Sequence, residues 1–224
     1  MPAFRQIPRG LVEYLAPGDE AKDLQPGDFI LTHGLGWQSS LIRFGQRVRL
    51  RGPNRRFAYW SHAAMIVGAD GAIVEAEIGG VERNNLSRYR KVEYHLIRIG
   101  LSAEADDRRQ AARFALECVG EPYDFLTVVS VAISLATGAK LSFGFDAHQI
   151  CSGLVARALE RTWAIFDREP SHIMPADLAR HYAVEPRRAS QPPTVPGTSS
   201  VLDQKTDQAA DHDQGDAYAP QQRR

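Results

Sequence analysis

The chain is poor in cysteine, with only Cys118 and Cys151 in 224 residues. A disulfide framework is therefore excluded, and without a Cys-x-x-Cys pair or a Cys/His cluster there is no zinc or redox signature. Net charge is also missing: 27 basic residues balance 27 acidic ones. Nothing in that balance points to nucleic acid or to an acidic membrane as a partner. Long apolar runs are absent too. The longest, Phe125 to Ala136, is too short to span a bilayer and is interrupted by Thr127, Ser130 and Ser134. Met1 to Gly10 holds no apolar stretch of signal-peptide length. These absences predict a cytoplasmic protein with reduced thiols, no transmembrane segment, no metal and no cofactor.

What is present suffices for one domain with a sizeable core. Residues 1–23 are mixed and punctuated by proline and glycine, which predicts an irregular lead-in. Leu24-Gln25-Pro26-Gly27-Asp28 reads as a turn, because proline presets φ and glycine accepts a positive one. Phe29–Thr32 follows as a short buried strand. Between Arg43 and Arg56 there are six arginines and no acid. That run reads as a basic loop, either meeting a carboxylate or phosphate on a ligand or simply solvated. A strand over 60–68, an Asp70-Gly71 turn and a return strand over 72–76 form a hairpin. A further strand is expected over 92–99, then a helix over 103–118 that starts at Ser102 and stops at Gly120. Phe125–Ala136 reads as a second helix, and Ser171–Tyr182 as a closing helix that admits Pro175 in its first turn. From residue 187 the chain turns to Pro, Ser, Thr, Gln and Asp, the composition of a disordered polar tail. The expected domain is residues 24–186.

The chemistry centres on Gln149-Ile150-Cys151-Ser152-Gly153-Leu154-Val155. Leu154, Val155, Ala158 and Leu159 form an apolar stripe at helical spacing, which puts Cys151 in the first turn of a helix. Unpaired N–H groups and the helix dipole there favour the thiolate. A small buried hydrophobe is the ordinary alternative for such a cysteine. A thiol nucleophile needs a base, and the base needs an orienting acceptor. His62 opens a strand and is followed by small and apolar residues. With Asp70-Gly71 as a two-residue loop, Ile66 faces Glu75 and Ala64 faces Glu77, so both glutamates share the His62 face with Glu77 nearer. A three-residue loop or a bulge would move both away. Spacing therefore offers two carboxylates. Cys118, on an ordinary helix, reads as structural.

Five segments in order carry a family resemblance: Leu24-Gln25-Pro26-Gly27-Asp28, Ser61-His62-Ala63, Ile73-Val74-Glu75-Ala76, Gly120-Glu121-Pro122-Tyr123-Asp124 and Ile150-Cys151-Ser152-Gly153-Leu154-Val155. Together they resemble the YiiX-like branch of the circularly permuted papain-like hydrolases, related to NlpC-type cell-wall peptidases and lecithin retinol acyltransferase. The likeness covers about residues 24–182. In ordinary papain-like enzymes cysteine precedes histidine, whereas His62 and Glu75 precede Cys151 here, as in permuted members. The resemblance implies an α+β fold, with an antiparallel sheet packed against the cysteine helix. It implies Cys151 as nucleophile, His62 as base and Glu75, rather than Glu77, as the residue that orients the imidazole. Tyr123, Asp28 and Gln149 make up the substrate-binding set that goes with it. The oxyanion would be held by the Cys151 N–H and a second donor, with Gln149 and His148 as candidates. Two features depart from the pattern: a longer apolar stretch between Asp124 and Cys151, and no export signal to match a cell-wall substrate.

The expected activity is a cysteine hydrolase, a thiol peptidase or amidase that cleaves a peptide, peptidoglycan-like or N-acyl amide through a thioester. The alternatives are an acyltransferase acting on lipid-like substrates, and a non-catalytic ligand-binding module in which the arginine run grips a carboxylate.

Overall fold

The computed structural model describes residues 11–77, 79–99, 105–122, 151–162, 164, 166 and 169–187. Six short strands are each bounded by turn residues: β1 (Leu11–Leu15), β2 (Phe29–Thr32), β3 (His62–Ile66), β4 (Ala72–Glu77), β5 (Gly80–Asn85) and β6 (Tyr94–Arg98). They form one antiparallel sheet in the order β1-β6-β2-β3-β4-β5. Alternation along each strand divides their side chains between two faces. Phe29, Leu31, Ala63, Met65, Val74, Ala76 and Ile97 line one face. Helices α2 (Ala105–Glu117) and α3 (Cys151–Leu159) cover it with Ala111, Ala115, Leu154, Val155 and Ala158. Ile30, Ala64, Ile66, Ile73 and Leu96 line the other face, packed with Leu15, Leu86 and Tyr94. The fold is thus mixed α/β around an antiparallel sheet, in keeping with the α+β expectation.

The start of the chain departs from the irregular lead-in. β1 pairs along its whole length with β6, from Leu11↔Arg98 to Leu15↔Tyr94. As an edge strand with only Leu15 buried, it shows little of the alternation that betrays a strand in sequence. At the other end, the Arg187 guanidinium lies over the Tyr14 ring at 4.2 Å, so Arg187 belongs to the folded body and not to a tail. Residues 188–224, and the expected helix over 125–136, lie outside the described residues.

The arginine run is not a loop. Arg43, Arg47 and Arg49 lie in helix α1 (Trp37–Arg49) and Arg55 and Arg56 in a 3-10 segment, Gly52–Tyr59, that Arg51 precedes in extended conformation. Gly36 caps α1 with no side-chain hydrogen bond, and Gly45 sits inside it, so neither the start signal nor the propensity announces a helix. Tertiary contacts hold it instead. The fully buried Gln46 amide donates to the Trp60 carbonyl at 2.7 Å and accepts from the Ala176 N–H at 2.8 Å. That one side chain ties α1 both to the 3-10 segment and to helix α4 (Pro175–His181). Arg49 adds an ion pair to Asp177 at 2.5 Å.

The β3–β4 hairpin also differs from the two-residue loop. Its turn is Gly68–Gly71, closed by the Gly71 N–H to the Gly68 carbonyl at 3.2 Å, with Gly71 at a φ of +81°. Val67 and Gly68 both donate to the Ala72 carbonyl, at 2.8 and 3.3 Å, so two residues oppose one. The resulting pairs are Ile66↔Ile73 and Met65↔Val74. Loop and bulge together shift the register by two residues. An even shift preserves the faces, so Glu75 and Glu77 remain on the His62 side.

Candidate active site

His62 is the first residue of β3, and Thr32, across from it, is the last of β2. The β3–β4 pairing runs toward the same end of the sheet, where β4 terminates at Glu77. An imidazole at a strand end can be met from either face. His62 Nε2 donates to Glu75 Oε2 at 2.8 Å. Glu75 is completely buried, and a buried carboxylate is tolerable only when its lone pairs are filled. Here four donors fill them. Asn84 Nδ2, at 3.0 Å, and Arg88 Nη1, at 2.7 Å, reach Oε1, while the Tyr89 hydroxyl joins His62 on Oε2. Burial pushes the Glu75 carboxyl up, but the hydrogen bond and charge of His62, with Tyr89 and Arg88, outweigh it and hold it below its ordinary value.

Cys151 is the first described residue of α3, and the helix packs against β3 and β4. With Nε2 engaged by Glu75, Nδ1 is the imidazole nitrogen left to face the thiol, and Cys151 and His62 are hydrogen-bonded. Burial opposes a charge on the sulfur. The His62 charge and hydrogen bond, with the N–H groups of Ala63 and Ser152 donating to the sulfur, overcome that and pull the thiol down. The imidazole moves the opposite way. Burial lowers it, but the sulfur charge and the bonds to Cys151 and Glu75 raise it to about 10. Both shifts favour one state, a thiolate–imidazolium pair backed by a buried carboxylate. Cys118 is the contrast: burial, together with the neighbouring Glu121, pushes its thiol up to about 11. At neutral pH roughly one Cys118 in ten thousand is then a thiolate, and the thiolate is the attacking form.

Sequence reasoning missed the residues that hold Glu75. Asn84 lies on β5, whose Gly-Val-Glu-Arg-Asn-Asn sequence has a single apolar side chain and gives no strand signal. Arg88 and Tyr89 lie on the 3-10 turn Leu86–Tyr89, which Asn85 caps by accepting from the Ser87 N–H at 2.9 Å. That Asn85 cap, followed by an apolar residue, is the only local signal for the turn. Glu77, the rival carboxylate, is partly exposed and pairs with the other Arg88 nitrogen at 3.1 Å. Arg88 therefore bridges the two glutamates, and Glu75 is the one that the imidazole meets.

His62, Glu75 and Glu77 are also the one group among the described residues spaced to hold a metal ion. The donor set argues against that use. Both Glu75 oxygens are already occupied by hydrogen-bond donors, and the Arg88 guanidinium sits where a cation would have to compete with it.

The pair opens into a cleft of about 470 Å³ lined by Cys151, His62, His33, Gly34, Gln38, Ser39, Glu77, Arg88 and Tyr89, among others. This is within the size range of small-molecule sites. His33 Nδ1 donates to the Tyr59 carbonyl at 2.8 Å and its ring stacks on Tyr59 at 4.1 Å, so among the described residues its Nε2 edge is the one left to meet a ligand. Asp28 is not among the lining residues. It precedes the opposite end of β2 from Thr32, nearly fully buried, pairing with Arg108 at 2.8 Å and accepting from the Ile99 N–H at 3.1 Å. Its role there is to tie α2 to β6, which corrects its assignment to substrate binding. Asp28→Ala should cost about 3 kcal/mol, the lower end for orphaning a buried ionic partner, since Arg108 retains some solvent. Cys151 alkylation in the folded fraction should be unchanged; denaturant titration and labelling rates check both halves. Tyr123, Gln149 and His148 lie outside the described residues.

No family model matches the chain, and no curated protein matches it. Among the described residues no helix is long and apolar enough to cross a membrane.

Proposed function

We propose that the chain is a cysteine hydrolase of the permuted papain-like type, cleaving an amide or activated ester through a thioester on Cys151. The observation that carries this reading is the hydrogen-bonded chain Cys151–His62–Glu75, with its thiol lowered, its imidazole raised and its carboxylate fully buried. A merely structural cysteine needs neither an imidazolium nor a carboxylate behind it. The thiolate attacks the carbonyl carbon, and the C=O electron pair moves to oxygen. The oxyanion collapses, His62 gives its proton to the departing nitrogen, and the amine leaves a thioester on sulfur. Water then adds to the thioester while His62 takes its proton. Collapse expels the thiolate and the acid product, and the pair is restored. Glu75 stays ionised throughout, orienting the ring and stabilising its positive charge.

The test uses p-nitrophenyl acetate as an acylating probe. A burst of nitrophenol approaching one equivalent per chain is expected, with the acetyl group on Cys151 and not on Cys118. Absence of a burst in the wild type, or turnover that survives Cys151→Ala, would sink the proposal.

A further inference from the structure

A second histidine lines the cleft, and the Cys151–His62–Glu75 chain does not use it. His33 follows Thr32 at the end of β2, and Thr32 pairs with His62, so the two imidazoles stand at adjacent strand ends. His33 Nδ1 is engaged by the Tyr59 carbonyl at 2.8 Å. A carbonyl only accepts, so that nitrogen carries the proton and Nε2 of the neutral ring is a lone pair. Ring and loop are both held in place. The imidazole stacks on Tyr59, with centroids 4.1 Å apart, and the Tyr59 hydroxyl donates to Glu93. The next residue, Gly34, donates its N–H to the buried Ser61 Oγ at 2.9 Å and accepts from Arg43. Among the described residues the Nε2 lone pair has no partner, and neutral Gln38, Ser39 and Ser61 line the cleft with it.

We infer that His33 is a specificity-determining residue whose Nε2 accepts an N–H of the substrate. Three other uses fail. An oxyanion needs a donor, and Nε2 has no proton to offer. The thiol already has its base, since His62 is hydrogen-bonded to Cys151. The residues spaced for a metal ion among those described do not include His33. What a fixed lone pair selects is a donor, and a substrate without one leaves that nitrogen unpaired. The inference rests on the hydrolase reading, in which His62 serves the scissile nitrogen. The nearest further N–H of an amide chain lies on the acyl side, one carbon from the carbonyl. The substrates favoured are therefore amides or esters of N-acylated amino acids, over those of simple fatty or aromatic acids.

Two p-nitrophenyl esters test this, those of N-acetylglycine and N-acetylsarcosine, which differ by methylation of that N–H. With each rate divided by that for glutathione, acylation of Cys151 in the full chain should be about fivefold faster with the glycine ester, the effect of one neutral hydrogen bond. His33→Phe keeps a ring to stack on Tyr59 and has no acceptor, so the preference should vanish. His33→Gln, whose Oε1 can reach the place of Nε2, should keep part of it. Independently, nitrogen NMR of histidine-labelled protein at mildly alkaline pH should show the His33 proton on Nδ1, the resonances being identified by their loss in His33→Phe. Equal corrected rates in the wild type, a preference that survives His33→Phe, or a proton on Nε2 would overturn the inference and leave the hydrolase reading standing. Failure of both esters to acylate Cys151 would strike the hydrolase reading, and the inference with it.

Discussion

His62→Ala is expected to reduce turnover of an amide or ester probe by roughly a thousandfold, within the range that a positioned acid–base group contributes. The loss has two sources. Without the imidazolium, burial of Cys151 is opposed only by backbone N–H groups, so the thiol rises and the nucleophile is depleted. The departing amine also loses its proton donor. The two sources separate with pH. In the wild type, turnover should rise as pH climbs through the lowered Cys151 value and fall as it passes the His62 value near 10. Both limbs belong to the coupled pair rather than to either residue alone. In His62→Ala the alkaline limb should vanish and residual activity should keep rising with pH. His62 lies at a strand end, and its side chain keeps 17 % exposure, so the variant should fold. A wild-type profile without an alkaline limb would remove His62 from the chemistry.

Glu75→Gln is the second large effect, on rate and stability together. The rate should fall about a hundredfold, because a neutral amide neither stabilises the imidazolium nor holds the ring through the same acceptor geometry. Stability should fall by about 2–3 kcal/mol, the range for losing hydrogen bonds to a buried charged group while their donors stay in place. Linkage gives the sign. The Glu75 carboxyl is held below its unfolded value, so its contribution is complete above that value, near pH 4.3, and is lost as pH falls through the folded one. The gap between wild type and Glu75→Gln should therefore be full at neutral pH and close on acidification. Glu77→Gln, which removes a partly exposed carboxylate whose partner among the described residues is Arg88, should leave both rate and stability nearly unchanged. If Glu77 carried the rate effect instead, the assignment of the acceptor would be wrong.

The three residues of the Cys151–His62–Glu75 chain could be nominated from sequence because each sits in a stretch with a strong local signal. Cys151 opens an apolar helical stripe, His62 opens an apolar strand, and Glu75 lies on the return strand of a hairpin. Choosing Glu75 over Glu77 was beyond periodicity. The hairpin has a longer loop and a compensating bulge, and an even register shift leaves every face where a two-residue loop would put it. What decides is the His62–Glu75 hydrogen bond, in a pocket that Asn84, Arg88 and Tyr89 complete from a strand with almost no apolar residues and the 3-10 turn after it. α1 was hidden for another reason. Its anchor is a polar side chain, Gln46, satisfied at both ends by backbone groups distant in sequence, and no local propensity encodes such a contact. Asp28 shows the converse error. A turn motif drew attention to a residue whose work is an ion pair with a helix 80 positions away.

The central claim is that Cys151 and His62 form an ionised pair, and the most direct test is the pH dependence of Cys151 alkylation. It should be measured in Cys118→Ser and again in Cys118→Ser with His62→Ala. A reactivity midpoint well below the free-thiol value of about 8.5, moving up when His62 is removed, is the predicted result. An ordinary midpoint, indifferent to His62, would contradict the account.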